Sequence, residues 1–413
     1  MYENTKQPPR ALLVACDTGE YDAASSLAEL YELVRSAGAE PFGAMTQKRP
    51  APDTATCVGS GMVAEIVDFC KKYAIELLIF DCELSPTQIR NLEAAAQARV
   101  VDRTMLILDI FAANARSSEG KLQVELAQLR YLLPRLSGRG TALSRLGGGI
   151  GTRGPGETKL ETDRRHIRAR IQSLQAQLDA VEKRRHLIDR RRKKDGIVTV
   201  ALVGYTNAGK STLMNALTHA GVLAQDRLFA TLDPTARALK LPNGFSVMLI
   251  DTVGLVRRLP HHLVQAFRST LEQAANADIL LNVCDASSPE AQTHLDVTRS
   301  LLSELGCRGT VIPVVNKCDR VPHLSGLPFI GGGVRISAKT GEGLPRLLKA
   351  IEEALPVTVQ KVSLLLPFAQ NGLAAKIRRD GTLLSEEYTA DGLAVKAYVG
   401  PALLAEVKPY LRN

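Results

Sequence analysis

The stretch Gly204-Tyr205-Thr206-Asn207-Ala208-Gly209-Lys210-Ser211 restricts what this chain can fold into more than any other. It follows Thr199-Val200-Ala201-Leu202-Val203, an apolar run of strand type, and precedes Thr212-Leu213-Met214-Asn215-Ala216-Leu217, which reads as helix. Strand, glycine loop with Gly-Lys-Ser, helix is the context a phosphate-binding P-loop requires. Glycine lets backbone N–H groups turn inward around a phosphate at the positive end of the helix. The expected binding residues are Asn207, Ala208, Gly209, Lys210, Ser211 and Thr212. Lys210 would neutralise β/γ oxygens and the Ser211 hydroxyl would bind Mg²⁺. A chance glycine turn is the bland alternative, and the correct flanking elements weigh against it.

Further motifs follow in a fixed order. Phe229-Ala230-Thr231-Leu232-Asp233-Pro234-Thr235 offers Thr231 to a γ-phosphate and Mg²⁺. The strand-like run Val247-Met248-Leu249-Ile250 ends in Asp251-Thr252-Val253-Gly254, which sets a carboxylate near the metal and the Gly254 N–H near the γ-phosphate. Asn316-Lys317-Cys318-Asp319 follows Val311-Ile312-Pro313-Val314-Val315, and Asp319 can accept from guanine N1–H and its exocyclic amine, which adenine cannot supply. Ser337-Ala338-Lys339, after Val334-Arg335-Ile336, would close over the base. Each tetrapeptide is weak alone. Together, each after a strand, they predict a domain that binds GTP or GDP with Mg²⁺. Metal ligands are then Ser211, Thr231 and Asp251, and the groups nearest the chemistry are Lys210, Thr231 and Gly254.

Leu255 stands where Ras-type enzymes carry the glutamine that orients the attacking water. Leucine cannot hydrogen-bond that water, so slow intrinsic hydrolysis and stimulation by a partner are expected. Arg257 and Arg258 lie close by, but sequence does not show where they point.

At 413 residues there is room for two to four domains. No run approaches transmembrane length and Met1–Lys6 lacks a signal peptide, so a cytoplasmic protein is expected. Seven cysteines without a Cys-x-x-Cys fit a reducing compartment and argue against structural zinc. Residues 11–110 read as an α/β region with strands at Ala11–Ala15 and Leu77–Phe80, and helices around 23–34, 62–73 and 86–96. Gly59-Ser60-Gly61 lacks dinucleotide spacing and reads as the start of a helix.

Charge is concentrated in the middle. Between Arg164 and Lys194 lie twelve Lys/Arg and three Asp/Glu, a net +9 that equals the whole chain's +9. Leu122, Leu126, Leu129, Leu133 and Leu136, then Ile167, Ile171, Leu174, Leu178, Val181 and Ile188, repeat at helical spacing. They predict an antiparallel helical hairpin, its second arm from about Thr162 to Lys194. A solvated helix face is the bland reading; a block this one-sided more often meets a polyanion. The glycine-rich segment from Ser137 to Glu157 suits close approach to RNA phosphates, with Arg139, Arg145 and Arg153, and Arg164 and Arg165 beyond it, as expected RNA contacts. With 4% aromatic residues and no tryptophan, base stacking is not expected.

The run Gly147-Gly148-Gly149-Ile150-Gly151-Thr152-Arg153-Gly154-Pro155-Gly156-Glu157-Thr158-Lys159-Leu160-Glu161-Thr162-Asp163-Arg164-Arg165 resembles the signature of the HflX GTPases, in the Obg–HflX group of P-loop GTPases. The resemblance extends over nearly the whole chain, although Met62 stands where members often carry lysine. It implies a GTPase that binds the ribosome, chiefly its large subunit and rRNA. The hairpin would face the peptidyl-transferase centre, in splitting, rescue or recycling under stress, and in some members in antibiotic resistance. Two other classes are kept open. One is a nucleotide-gated RNA or ribosome chaperone in which hydrolysis only resets binding. The other is a regulatory GTPase with a protein or anionic-membrane partner.

The expected fold class is thus α/β multidomain. It comprises an N-terminal α/β domain (1–112), a basic helical hairpin with a Gly-rich loop (113–195), a Ras-like GTPase domain (196–357) and a small α+β, ferredoxin-like domain (358–413). In the last, strands at 362–366 and 393–399 and helices near 369–379 and 401–411 suggest a βαβ unit. A monomer is expected.

Overall fold

The computed structural model describes residues 8–136, 155–194, 197–218, 228–229, 235–258, 276–321, 333–356 and 360–412. Contacts group the chain into two units. Unit 1 comprises Met1–Ala180, Arg227–Leu232 and Arg257–Phe267; unit 2 comprises Val181–Asp226, Asp233–Val256 and Arg268–Asn413.

Unit 1 is built on four parallel strands, β1 (Arg10–Asp17), β2 (Glu40–Lys48), β3 (Leu77–Phe80) and β4 (Arg99–Asp102), in the order β2-β1-β3-β4. The central β1 is apolar and buried on both faces, as a parallel sheet covered by helices demands. Four helices connect or follow these strands: α1 (Ala23–Ser36), α2 (Ser60–Tyr73), α3 (Pro86–Ala96) and α4 (Arg103–Asn114). Their starts are locally encoded. Asp22 and Asp102 cap α1 and α4 through their carboxylates, and Ser85 and Gln88 form a reciprocal capping box ahead of Pro86. Gly59 does begin a helix, with its N–H donating to Gln47 Oε1 at 2.7 Å.

Helix α5 (Ser118–Arg135) follows. Its most buried residues are Gln123, Val124, Leu126, Ala127 and Tyr131, so the stripe in the core is offset from the predicted leucines, most of which are half-buried. Helix α6 runs from Pro155 to Lys194. It begins seven residues before the expected Thr162, because Pro155 sits at a position where its fixed φ suits a first helical turn. Its 40 residues extend about 60 Å. Leu174 is buried, whereas Ile188 is exposed and does not continue the apolar face.

Unit 2 carries a six-stranded sheet in the order β10-β9-β8-β5-β7-β6. The strands are β5 (Thr199–Gly204), β6 (Thr235–Lys240), β7 (Ser246–Asp251), β8 (Ile279–Asp285), β9 (Thr310–Asn316) and β10 (Val334–Arg335). All pairs are parallel except β6–β7, the predicted hairpin, where Gly244 takes φ +87° in the Asn-Gly turn. Helices α7 (Lys210–Thr218), α8 (Ala291–Glu304) and α9 (Leu344–Glu353) belong to it. Val200, Leu202, Leu249, Leu281 and Val314 fill its core.

The last segment is β11 (Gln360–Leu366), α10 (Asn371–Asp380), β12 (Thr382–Thr389), β13 (Gly392–Val399) and α11 (Pro401–Val407). The expected βαβ unit needs correction. The unpredicted strand β12 reverses the chain, so β11 pairs with β13 antiparallel in the order β11-β13-β12. Tyr398 of β13 packs edge-on against Phe245, ring centroids 5.4 Å apart.

Candidate nucleotide site

All the nucleotide motifs described by the structure meet at the carboxyl edge of the β5–β8–β9 strands, the edge that binds ligands in open α/β sheets. β5 is buried throughout from Val200 to Gly204 and delivers the loop into the start of α7. Lys210, only 7% exposed, folds over that loop and donates from Nζ to the carbonyls of Gly204 at 3.0 Å and Tyr205 at 2.8 Å. Burial pulls its pKa down to about 8, partly offset by the Asp251 carboxylate. Among the described residues this buried cation donates to two carbonyls, which phosphate oxygens could replace.

Ser211 Oγ donates to Asp251 Oδ2 at 2.8 Å, so a hydroxyl and a carboxylate from α7 and β7 converge. This oxygen-only donor pair suits a hard divalent cation such as Mg²⁺ and would not favour a soft metal. Gly254 is sterically required: a Cβ there would lie 2.8 Å from Thr206 Cα and 3.0 Å from Lys210 Nζ. Gly209, at φ +88°, would drive a Cβ to 2.3 Å from Asn316 Nδ2. Leu255 is buried and bridges to Tyr205 through Leu255 N to Gly204 O at 3.1 Å and Thr206 N to Leu255 O at 2.8 Å. Its backbone closes the loop and its side chain offers no polar atom.

The base side is equally assembled. Asn316 ties two loops together, its Nδ2 donating to Ala208 O at 2.8 Å and its Oδ1 accepting from Ala338 N at 2.9 Å. Ser337 Oγ donates to Asp319 Oδ1 at 2.7 Å, which fixes the carboxylate for a planar donor pair. Lys317, at φ 62°, extends to Asn207 Oδ1 at 3.4 Å and pairs with Asp285 at 2.7 Å. Lys339 is exposed at the rim. Replacing Asp319 by alanine is expected to weaken GTP binding by about 10²-fold, since two hydrogen bonds to a charged acceptor are lost. Inosine triphosphate lacks the exocyclic amine, so its disadvantage against GTP should shrink in the variant. An unchanged GTP-to-inosine-triphosphate affinity ratio would sink this assignment.

Asp285 is a residue that sequence reading missed. It ends β8, where hydrogen bonds from Lys317 and Ser287 outweigh its burial and hold its carboxyl below the usual range. Its signal was a carboxylate at the carboxyl end of the apolar run Ile279–Val283. Thr231, Arg139, Arg145 and Arg153 lie outside the described residues; Arg164 and Arg165 lie on α6, the latter exposed.

Arg257 and Arg258 turn out to belong with unit 1. Their partners follow the carboxyl ends of β1 and β3, the point where strand order reverses. Arg257 Nη1 donates to Ser25 Oγ at 2.9 Å and its N–H to Glu29 Oε1 at 3.2 Å. Arg258 Nη1 donates to Asp81 Oδ2 at 3.2 Å, with its guanidinium 3.7 Å above the Tyr21 ring. Arg103 joins the same two carboxylates at 2.7 Å (Asp81) and 3.0 Å (Glu29). In the same unit Phe229 packs on Phe111, centroids 4.5 Å apart, and Asn114 Nδ2 donates to Phe229 O at 3.0 Å.

The chain is similar to known proteins along most of its length. Three family profiles match consecutive parts of the chain: GTP-binding GTPase N-terminal over residues 24–112, GTP-binding GTPase Middle Region over 114–192, and 50S ribosome-binding GTPase over 199–317. The GTPase HflX of Caldanaerobacter subterraneus subsp. tengcongensis is 49% identical over 414 residues, covering 100% of this chain and 95% of the relative. That of Escherichia coli K12 is 42% identical, covering 95% and 93%. A solved GTP-binding protein of Sulfolobus solfataricus, in complex with GDP, is 24% identical with a TM-score of 0.46, over 84% of this chain and 98% of that one. With this degree of identity over nearly its full length, the chain belongs to the HflX family of GTPases, enzymes that bind and hydrolyse GTP.

Proposed function

We propose that this GTPase is a nucleotide-gated, ribosome-binding factor that engages the large subunit and acts in splitting or rescuing ribosomes. The observation that carries the ribosomal reading is α6, whose stretch from Arg164 to Lys194 concentrates a net +9. A charge block of this size releases counterions from a polyphosphate and gives salt-sensitive binding. The profile name matching residues 199–317 points to the same partner. Among the described residues no helix is long and apolar enough to cross a membrane.

In this reading Lys210 and the amides of Asn207, Ala208, Gly209, Ser211 and Thr212 hold the phosphates. Ser211, Thr231 and Asp251 hold Mg²⁺, which would supply charge neutralisation at the β/γ oxygens. Gly254 senses the γ-phosphate, and Asn316, Lys317, Asp319, Ser337, Ala338 and Lys339 surround guanine. Helices α5 and α6 form the arms of a hairpin, a reading supported by Arg170 paired with Glu125 at 2.7 Å and Arg130 donating to Gln175 at 2.7 Å. The limits 1–112, 113–195, 196–357 and 358–413 remain the proposed domains, the last ferredoxin-like. Arg139, Arg145, Arg153, Arg164 and Arg165 would meet RNA.

The test is GTP turnover alone, with small subunits and with large subunits, across a salt series. Large subunits should stimulate turnover strongly, and stimulation should fall steeply between about 50 and 200 mM salt. Absence of stimulation by either subunit would overturn the ribosomal role while leaving the nucleotide site intact.

A further inference from the structure

Outside the nucleotide site, a cluster of nucleophilic side chains among the described residues is a group of three cysteines at the carboxyl edge of the first sheet. β1 and β3 are parallel with Val14 opposite Phe80, which brings Cys16 and Cys82, two positions further on, to the same edge. Cys57 reaches in from the segment between β2 and α2. Its backbone is pinned by two bonds to Asp53, Cys57 N to Asp53 O and Asp53 N to Cys57 O, both 2.9 Å. Asp53 is itself fixed, its Oδ1 accepting from Ala55 N at 2.8 Å and its carbonyl from Gln88 Nε2 at 2.6 Å. The result is that Cys57 Sγ lies 3.3 Å from Cys82 Sγ.

We propose that Cys57 and Cys82 are a reversible oxidation site that closes to an intramolecular disulfide. The sulfurs are already in contact, and about 1.3 Å of further approach completes a bond of about 2.04 Å. Cys57 is buried while Cys82 is partly open, so oxidant meets Cys82 and Cys57 resolves it. With a peroxide, the Cys82 thiolate attacks the O–O bond, giving a sulfenic acid and, once protonated, water. Cys57 then displaces the sulfenic oxygen as a second water, so two thiols and one hydrogen peroxide give one disulfide and two waters. Three thiols do not form a metal site instead, since no group of three or more His, Cys, Asp or Glu among the described residues is arranged to hold an ion. The neighbouring Asp81 carries the ion pairs to Arg103 and Arg258, so the cross-link lands beside that network.

The contact with Cys57, together with burial, raises the Cys82 pKa, and burial raises that of Cys16. Oxidation is therefore slow at neutral pH and accelerates about tenfold per pH unit, as the thiolate fraction does. The experiment treats the reduced full-length protein with hydrogen peroxide at several pH values, blocks remaining thiols and maps peptides without reduction. The expected result is a linked Cys57–Cys82 peptide, two of the seven thiols lost, and reversal by dithiothreitol. Cys82→Ser and Cys57→Ser should each abolish the link, and Cys16→Ser should leave it. Recovery of Cys57 and Cys82 as blocked thiols while other cysteines oxidise, or a Cys16–Cys57 link in the unaltered chain, would overturn the proposal.

Discussion

Replacing Lys210 by alanine is expected to remove GTP turnover almost entirely. The lysine is buried and its ammonium is hydrogen-bonded to the Gly204 and Tyr205 carbonyls, in the loop that would wrap the phosphates. Among the described residues of unit 2, Lys317 does not replace it, being committed to Asp285 at 2.7 Å. Losing one preorganised charge at a phosphoryl-transfer centre costs about 10²–10³-fold in rate. Truncating one partner of a buried charge pair costs about 2–5 kcal/mol in binding. Both should be visible in single-turnover hydrolysis and in titration with a fluorescent GTP analogue. Full affinity and rate in the variant would remove Lys210 from the site.

The same residue gives a pH signature in the unaltered enzyme. Its pKa is about 8, depressed by burial. Phosphate beside it favours the charged form and raises that value. Binding then takes up a proton as pH rises through 8, so affinity should weaken above that pH and stay flat below it. A titration series from pH 6.5 to 9.5 checks the sign.

The nucleotide site was legible because its chemistry is local. Gly204–Ser211, Asp251–Gly254, Asn316–Asp319 and Ser337–Lys339 each lie at the carboxyl end of a strand, and parallel topology carries all four ends to one edge. Three strands were not legible, each for a stated reason. β2 alternates exposed and half-buried residues along its length and contains Pro41 and Gly43, so it carries no apolar run. β4 has four residues. β12, on the edge of the last sheet, is half-buried or exposed throughout, and missing it turned an antiparallel sheet into a supposed βαβ unit. The direction of Arg257 and Arg258 was beyond sequence in a different way. Their partners Glu29 and Asp81 lie 228 and 177 positions away, and it is the parallel pairing of β1 with β3 that brings the segments carrying those partners together.

That charge cluster carries the second large effect. Asp81 is fully buried and accepts from Ser26 Oγ at 2.6 Å, Arg103 at 2.7 Å and Arg258 at 3.2 Å. Arg103 is 3% exposed and has Glu29 as its other carboxylate. Asp81→Ala therefore leaves a buried guanidinium with half its counter-charge and should destabilise unit 1 by about 3–5 kcal/mol. The pair need not be a large net stabiliser for this to hold, because the cost arises from stranding one charge rather than from losing the attraction. Arg103→Met in the same background removes the stranded charge and should recover part of the loss, a coupling of about 0.5–3 kcal/mol. Because the chain has more than one unit, the first thermal transition and the rate of limited proteolysis within residues 8–136 are the appropriate readouts, not a single unfolding free energy. Asp81→Ala melting within a degree of the unaltered protein, or the double variant melting lower than the single one by the full effect of Arg103→Met alone, would show that the network is solvated and its charges are independent.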